Sequence, residues 1–192
     1  MLNSIQECVD RIDSHLRDFH RPVMSKLLPG IAKEVIQGAL VERALVPSSD
    51  LAALYACHGG TDVRPGDGLD NVHYFPGFYW LSLEDALLTH LSFADDRRWS
   101  SAWLPIFGNG GGDFFAVDCD GASSTFGAVI GFRLGEVDAP VQFASMGSMM
   151  RSVAKCYDLG IYFLSDGYLE ADDFKAELVA KEFNPYLSYY AD

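Results

Sequence analysis

The stretch from Trp103 to Gly121, WLPIFGNGGGDFFAVDCDG, decides the fold. Two apolar runs, 103–107 and 114–117, flank a loop that holds four glycines and one asparagine. Glycine adopts backbone angles that are closed to other residues, so this loop can reverse the chain within a few residues. The stretch therefore predicts two adjacent antiparallel strands joined by a tight turn, with Asp113 bonded to amides of that turn.

The glycine-rich loop lacks the residues that a nucleotide site needs. A phosphate-binding P-loop continues from its glycines into Lys and Ser or Thr, whereas Asp113 follows here and its carboxylate would repel phosphate. A dinucleotide-binding loop leads into a helix, whereas FFAV favours a strand. The sequence therefore predicts neither a nucleotide nor any other cofactor.

Two acids close the stretch, in Asp118-x-Asp120-Gly121. This pattern is like a fragment of a calcium loop, but it lacks a further ligand before its glycine, and Val129 stands where a bidentate Glu is required. The same two carboxylates could also act as the acid pair of a glycosidase. Asp and Gly are the preferred residues of simple β-turns, and we favour that interpretation. No metal site is predicted, and a glycan-acting hydrolase stays open as an alternative.

Other catalytic patterns are equally incomplete. The five histidines show no H-E-x-x-H spacing, and Phe143-x-Ser145-x-Gly147 lacks the leading glycine of a nucleophile elbow. Cys57 and His58 are neighbours in the sequence, but a Cys–His dyad is a spatial arrangement, so adjacency means little. We therefore expect no catalytic residue and no enzymatic activity.

Mainly helical patterns precede the hairpin, and both strand and helical patterns follow it. An apolar stripe behind the capping box Ser4-x-x-Glu7 predicts an N-terminal helix, which packs either on the main core or on a partner chain. Five further helices are predicted. The first covers about 29–45, and the second runs from Pro47 to a glycine C-cap at His58-Gly59-Gly60. The third follows the capping box Ser82-x-x-Asp85, and the last two lie around 149–157 and near 172–183. Further strands are predicted at 78–81, 128–134 and 141–144, and a polar loop at 61–77.

This order predicts an α+β fold with a single, largely antiparallel twisted sheet packed by helices, plus an extra N-terminal helix and C-terminal helix. We divide the chain into an N-terminal amphipathic helix (1–24), an α+β domain (25–162) and a C-terminal helical extension packed on that domain (163–192). Either a monomer or a homodimer fits the pattern.

Composition narrows the class of partner. The 192 residues contain 27 acids against 14 bases, which gives a net charge of −13. Binding to nucleic acid needs clustered Lys and Arg, so no nucleic-acid partner is expected. Four cysteines without a C-x-x-C pair, no export signal and no apolar run long enough to span a bilayer indicate a cytoplasmic protein with no membrane partner.

An ordered set of segments resembles the SUKH superfamily, its Smi–Knr branch in particular. The set covers about residues 25–160 and consists of Pro47-x-x-x-Leu51 through Leu54-Tyr55 to Gly59-Gly60, Leu81-Ser82-Leu83-Glu84-Asp85, Trp103-Leu104-Pro105-Ile106 with the glycine-rich loop, the strand ending at Asp118, Gly127-x-Val129, and Phe143-Ala144-Ser145-Met146 into Met149-Met150. The resemblance implies one sheet with helices against it. It also implies a binding role, since bacterial members are mostly immunity proteins that each neutralise a secreted toxin, and fungal members regulate cell-wall synthesis.

On that resemblance we expect an immunity protein whose partner is a basic toxin, a nuclease being one suitable class. A negative charge would speed association with such a target. The first candidate surface is the loop 61–78, and the full set of candidate partner-binding residues is Asp62, Asp67, Asp70, Tyr74, Phe75, Asp113, Asp118 and Asp120. A regulatory or scaffolding protein of the same fold with a housekeeping partner stays open as an alternative.

Overall fold

A computed structural model describes residues 4–190, so residues 1–3 and 191–192 of the predicted terminal segments lie outside it. The fold is α+β, as predicted. Its helices are α1 Ile5–Asp18, α2 Lys33–Val41, α3 Ser49–Cys57, α4 Leu69–Val72, α5 Leu83–Ser92, α6 Met146–Asp158 and α7 Asp173–Phe183. Its strands are β1 Leu27–Pro29, β2 His58–Thr61, β3 Tyr79–Trp80, β4 Trp103–Gly108, β5 Phe114–Asp118, β6 Val129–Phe132, β7 Val141–Phe143, β8 Tyr162–Ser165 and β9 Tyr168–Ala171, with short 3-10 helices at Pro22–Ser25 and Ser188–Tyr190.

The glycine-rich stretch forms the centre of a five-stranded antiparallel sheet in the order β3-β4-β5-β6-β7. Phe107 pairs with Phe115 and Gly108 with Phe114 across the predicted hairpin. All five residues of β5 and all four of β6 are buried, so both faces of the sheet are covered. Each strand pairs with the next one along the chain, and consecutive pairing is the favoured topology for short connections.

The N-terminal helix packs on the main core. Its stripe of Ile5, Val9, Ile12 and Leu16 is at most 6% exposed. The predicted capping box at its start is formed, because the Ser4 hydroxyl accepts the Glu7 amide and the Glu7 carboxylate accepts the Ser4 amide. The α1 stripe lies chiefly against α6 and α3, so the core of this chain, rather than a second chain, covers it.

Helix α3 ends at the segment His58-Gly59-Gly60, as predicted, but its C-cap residue is His58 in an extended conformation (φ −140°) rather than a left-handed glycine, and the segment continues as a strand. It forms β2, which pairs with β1 in a region where the sequence predicted helix from about residue 29. Both glycines are required by close approach, since a Cβ on Gly59 would lie 2.7 Å from the Pro29 carbonyl oxygen and one on Gly60 2.4 Å from the Leu81 carbonyl oxygen. Helix α2 is shorter than predicted at both ends: Pro29 belongs to the ladder rather than to the helix, and the helix ends at Val41, before Ala44 takes a positive φ of +57°.

The C-terminal segment is also more than the predicted helix. Before α7 the chain forms a second hairpin, β8–β9, whose turn places Asp166 at φ +50° and Gly167 at φ +87°. Such a pair of positive φ values is what an Asp-Gly turn supplies between antiparallel strands. The expectation of a single sheet is therefore corrected: residues 4–190 form one five-stranded sheet and two two-stranded ribbons.

Candidate functional site

The glycine-rich loop is a hairpin turn held by Asn109. Its Oδ1 accepts the amides of Gly111 (2.7 Å) and Asp113 (3.1 Å), while Gly110 and Gly112 take φ values of +78° and +99°. The Asp113 carboxylate instead accepts Asn109 Nδ2 and the Leu134 amide, both at 2.9 Å. Asp113 therefore joins the turn to the end of β6, and it is Asn109 rather than Asp113 that bonds the amides of the turn.

The Asp118–Asp120 pair holds the next turn. Asp118 is only 4% exposed, and its carboxylate accepts the Asp120 amide at 3.0 Å and the Thr125 hydroxyl at 2.7 Å. Burial opposes ionisation of Asp118, but these hydrogen bonds outweigh it and lower the pKa below 3.8. The Asp120 carboxylate accepts the Ala122 amide at 2.9 Å. Both carboxylates thus serve the local backbone, which is the turn arrangement that the sequence favoured over a calcium loop or a catalytic pair.

The three acids of the loop 61–78 are paired with bases of this chain. Asp62 contacts Arg64 at 2.5 Å, and Asp67 contacts Lys26 at 2.8 Å. Asp70 contacts Arg21 at 2.5 Å in a pair whose arginine side chain is only 4% exposed. Each negative charge on this predicted surface is therefore balanced within the molecule.

The two aromatic residues predicted for the same surface lie in the core. Tyr74 is fully buried, and Phe75 is 4% exposed and packs edge-on against Phe107 with ring centroids 5.0 Å apart. The expectation that Tyr74 and Phe75 anchor a partner is therefore corrected, since neither presents a surface in the folded protein. The predicted loop is also partly structured, because α4 forms within it and turns these rings inward.

Tyr74 belongs to a buried polar cluster with Asp13, His58 and Tyr157, which was not predicted from the sequence. The Tyr74 hydroxyl donates to Asp13 Oδ1 at 2.9 Å, His58 Nε2 lies 2.9 Å from Asp13 Oδ2, and the Tyr157 hydroxyl donates to the Tyr74 carbonyl at 2.8 Å. Asp13 is 2% exposed. Because a buried carboxylate needs such partners, the cluster fixes α1 against β2 and α6. The available sequence signal for this cluster was Asp13, an acid that lies beside the apolar stripe of α1.

The Cys57–His58 neighbours do not form a dyad. The Cys57 thiol donates to the Ala53 carbonyl at 3.2 Å, while His58 turns to Asp13. Burial raises the pKa of Cys57 to about 11, so the thiol stays protonated and weakly nucleophilic at neutral pH. Burial likewise raises the pKa of Cys8 and Cys156 to about 11 and that of Cys119 to about 12.

A groove of about 660 Å³ runs between α1, α6 and α7. Its walls carry both signs of charge: Glu7, Arg11, Arg151, Lys155, Asp158 and Glu182, with Phe183. Asp158 contacts Arg11 at 2.5 Å and His15 at 2.9 Å. Burial opposes ionisation of Asp158, but these two partners outweigh it and lower its pKa. The mixture of signs gives the groove no strong preference for a cation or an anion.

Within residues 4–190, five of the six exposed Phe and Tyr side chains lie near the C-terminus, and the sixth is Phe126, which is 38% exposed. Phe163, Tyr168, Phe174, Tyr186 and Tyr189 all lie on or after β8, and Tyr168 and Phe174 are 60% and 71% exposed. The sequence analysis did not single them out. The signal that was available is Asp166-Gly167 between two short aromatic runs, which predicts a hairpin with one outward face.

No group of three or more His, Cys, Asp or Glu side chains in residues 4–190 is arranged to hold a metal ion. None of the helices in the same range has both the length and the apolar character needed to cross a bilayer.

Part of the chain matches a known protein family. The family described as SMI1 / KNR4 family (SUKH-1) matches residues 48–152, which run from the N-cap of α3 into α6 and include the whole of β3 to β7. No curated protein matches the chain significantly. The match agrees with the resemblance seen in the sequence segments, and it excludes α1, the β8–β9 hairpin and α7.

Proposed function

The chain belongs to the SMI1 / KNR4 family (SUKH-1), and from that premise we propose that it is an immunity protein that neutralises a cognate bacterial toxin by binding it directly. The family match carries this proposal. Members of the family are generally binding modules without catalysis, so we also propose that the chain acts without turnover. Direct binding needs a stable scaffold and a complementary surface, and no reactive side chain.

The chemistry of the candidate residues supports binding rather than catalysis. Asp113, Asp118 and Asp120 all accept hydrogen bonds that hold turns of the sheet together. A general acid or base must have an oxygen free to reach substrate. Carboxylates whose oxygens hold the backbone are poorly suited to that task, so the glycan hydrolase is the weaker alternative.

Charge supports a basic toxin as the partner. The net charge of −13 attracts a cationic surface and speeds the encounter at low salt. We also place the protein in the cytoplasm, where a nuclease toxin would reach its nucleic acid. All four cysteines are free thiols in the structure, as a reducing compartment favours.

Co-expression tests the proposal. The proposal predicts a toxin gene beside the gene of this chain; the toxin domain that it encodes is induced with and without the chain, and we expect growth to be restored only when the chain is present. The purified pair should elute as one complex, with an association rate that falls as salt rises. A chain that neither restores growth nor forms this complex would contradict the proposal. Restored growth by the Asp118→Asn variant would separate binding from the hydrolase alternative, which needs that carboxylate.

A further inference from the structure

The β8–β9 hairpin has one face in the core and one in solvent. Leu169 is 5% exposed, and Tyr162 packs against Tyr157 with ring centroids 5.2 Å apart. Phe163 pairs with Glu170, and Ser165 pairs with Tyr168, on the opposite face. Because side chains alternate across a strand, Phe163, Tyr168 and Glu170 share the outward face. Two aromatic rings and a carboxylate are thus presented together.

Helix α7 continues this outward surface. Its inner side is buried at Val179 and Ala180, which are 6% and 7% exposed. Phe174 and Leu178 lie one turn apart on the outer side, at 71% and 51% exposure, and Glu177 lies between them in sequence. Residues three and four apart are neighbours on a helix, so these three side chains form one patch.

The open end of the hairpin and the start of α7 are close together along the chain. Tyr162 pairs with Ala171 at the open end of the hairpin, next to the pair of Phe163 and Glu170. Phe174 follows Ala171 by only three residues, which limits their separation to about 11 Å. We refer to these exposed residues of the hairpin and of α7 together as the C-terminal surface: Phe163, Tyr168, Glu170, Phe174, Glu177 and Leu178.

Among the acids around the C-terminal surface, Asp172 is paired with Lys175 at 2.6 Å, but four others form no ion pair with residues 4–190. These four are Asp166, Glu170, Asp173 and Glu177, and all of them are exposed. Asp62, Asp67 and Asp70 of the loop 61–78 are all paired with Arg64, Lys26 and Arg21. Paired acids gain little from an external cation, whereas unpaired acids keep their full attraction for one.

We propose that this chain binds its partner through the C-terminal surface. The partner is a basic protein whose own interface has apolar side chains surrounded by Lys and Arg. The proposal rests on the proposed binding function and gives it a location outside the family-matched residues 48–152. Exposed aromatic rings are the side chains that most often supply binding energy at interfaces, and surrounding acids supply selectivity for a basic partner.

A second copy of this chain suits the surface less well than a basic partner. A two-fold contact places the same patch against itself. Glu170 and Glu177, with Asp166 and Asp173 beside them, would then face their own counterparts. Like charges across an interface oppose association, whereas Lys and Arg of a basic partner remove that penalty.

Mapping with a defined basic protein tests the location. The full chain, labelled with ¹⁵N, is titrated with cytochrome c at low salt. We expect amide signals of residues 163–178 to shift most and the shifts to vanish near about 1 M salt, where the screening length is about 3 Å. Shifts centred on residues 62–70 would overturn the proposal. This arm reads out the surface even if no toxin complex exists.

A second arm uses the toxin domain encoded beside the chain. The double variant Tyr168→Ser/Phe174→Ser should bind it at least about tenfold more weakly, because interface aromatics carry much of the binding energy. The matched control Leu88→Ser changes an equally exposed apolar residue on α5, at 57%, and should bind as the unmodified chain does. Equal affinity of the double variant would overturn the proposed surface, whereas absence of any complex would contradict the proposed function.

Sedimentation of the same proteins tests self-association. The unmodified chain and the double variant should both sediment as monomers over the concentration range used for binding. A dimer of the unmodified chain that the double variant loses would show a second copy to be the occupant and would overturn the proposal.

Discussion

Arg21 and Asp70 form a partly buried ion pair, with side chains 4% and 23% exposed, that joins three separate parts of the chain. Arg21 follows α1, Asp70 lies on α4, and their nitrogen and oxygen atoms are 2.5 Å apart. Arg21 also donates to the Gly167 carbonyl at 2.9 Å, and Asp70 accepts the Leu169 amide at 3.0 Å. The pair therefore connects the N-terminal segment and the β8–β9 hairpin to each other through the loop 61–78.

Removing the arginine should destabilise this junction. In Arg21→Met the Asp70 carboxylate keeps its amide partner but loses its counter-charge, and the Gly167 carbonyl loses its donor. We expect a loss of about 3 kcal/mol in the free energy of unfolding, measured by urea denaturation. The control Arg64→Met removes the arginine of the exposed Asp62 pair and should leave the urea midpoint unchanged. Equal midpoints for the two variants would contradict the structural role given to Arg21.

Asp118 should make stability depend on pH. Its folded pKa lies below 3.8, because hydrogen bonds from Asp120 and Thr125 outweigh burial. A depressed folded pKa contributes stability above about pH 4 and loses it as the pH falls below that value. We expect Asp118→Asn to be less stable at pH 7 and to approach the unmodified chain as the pH is lowered to about 2.

The check is the difference in urea midpoint between the two proteins across this range. Asp173→Asn is the control, since this exposed carboxylate accepts no hydrogen bond from residues 4–190, and it should show no such change. A midpoint difference for Asp118→Asn that stays constant from pH 7 to pH 2 would contradict the assignment.

Two glycine substitutions should have opposite signs. Gly60 has φ +100°, and an added Cβ would lie 2.4 Å from the Leu81 carbonyl oxygen, so Gly60→Ala should cost about 3 kcal/mol or more through strain and overlap. Gly38 lies within α2 with open space around its Cα, so Gly38→Ala should stabilise by about 0.5–1 kcal/mol. Thermal and urea unfolding measure both, and a stable Gly60→Ala protein would contradict the close β2 approach.

Tyr74 should behave as a structural residue. Tyr74→Phe removes the hydroxyl that donates to the buried Asp13 carboxylate, and hydrogen bonds to charged groups are worth about 1.5–3 kcal/mol. We expect that loss in urea unfolding and unchanged affinity of the folded variant for a partner. Tyr186→Phe is the control because Tyr186 is 97% exposed, and it should leave stability unchanged. A stable Tyr74→Phe protein with weakened partner binding would restore Tyr74 as an interface residue.

Short sequence patterns correctly predicted the helix starts and the hairpin turn that depend on interactions between residues close in the sequence. The predicted serine caps fix the starts of α1 and α5, since Ser4 and Ser82 each accept a hydrogen bond from the amide three residues on. The glycine-rich loop determined the β4–β5 hairpin, because only glycine takes the φ values of Gly110 and Gly112 without strain. The β8–β9 hairpin was missed although Asp166-Gly167 signalled it, because the tail was interpreted by its helical end alone.

Which residues face solvent depends on contacts between side chains that are distant in the sequence. The sequence shows Asp70 as one more acid in a polar loop, and only the folded chain brings Arg21 to it across 49 residues. It also shows Tyr74 and Phe174 as equivalent aromatics, whereas packing buries the first and leaves the second 71% exposed. Capping, turn formation and net charge depend on residue type and short spacing, so the sequence by itself determined them. Burial and charge compensation depend on which distant side chains meet, so only the tertiary structure decided which acids and rings face solvent.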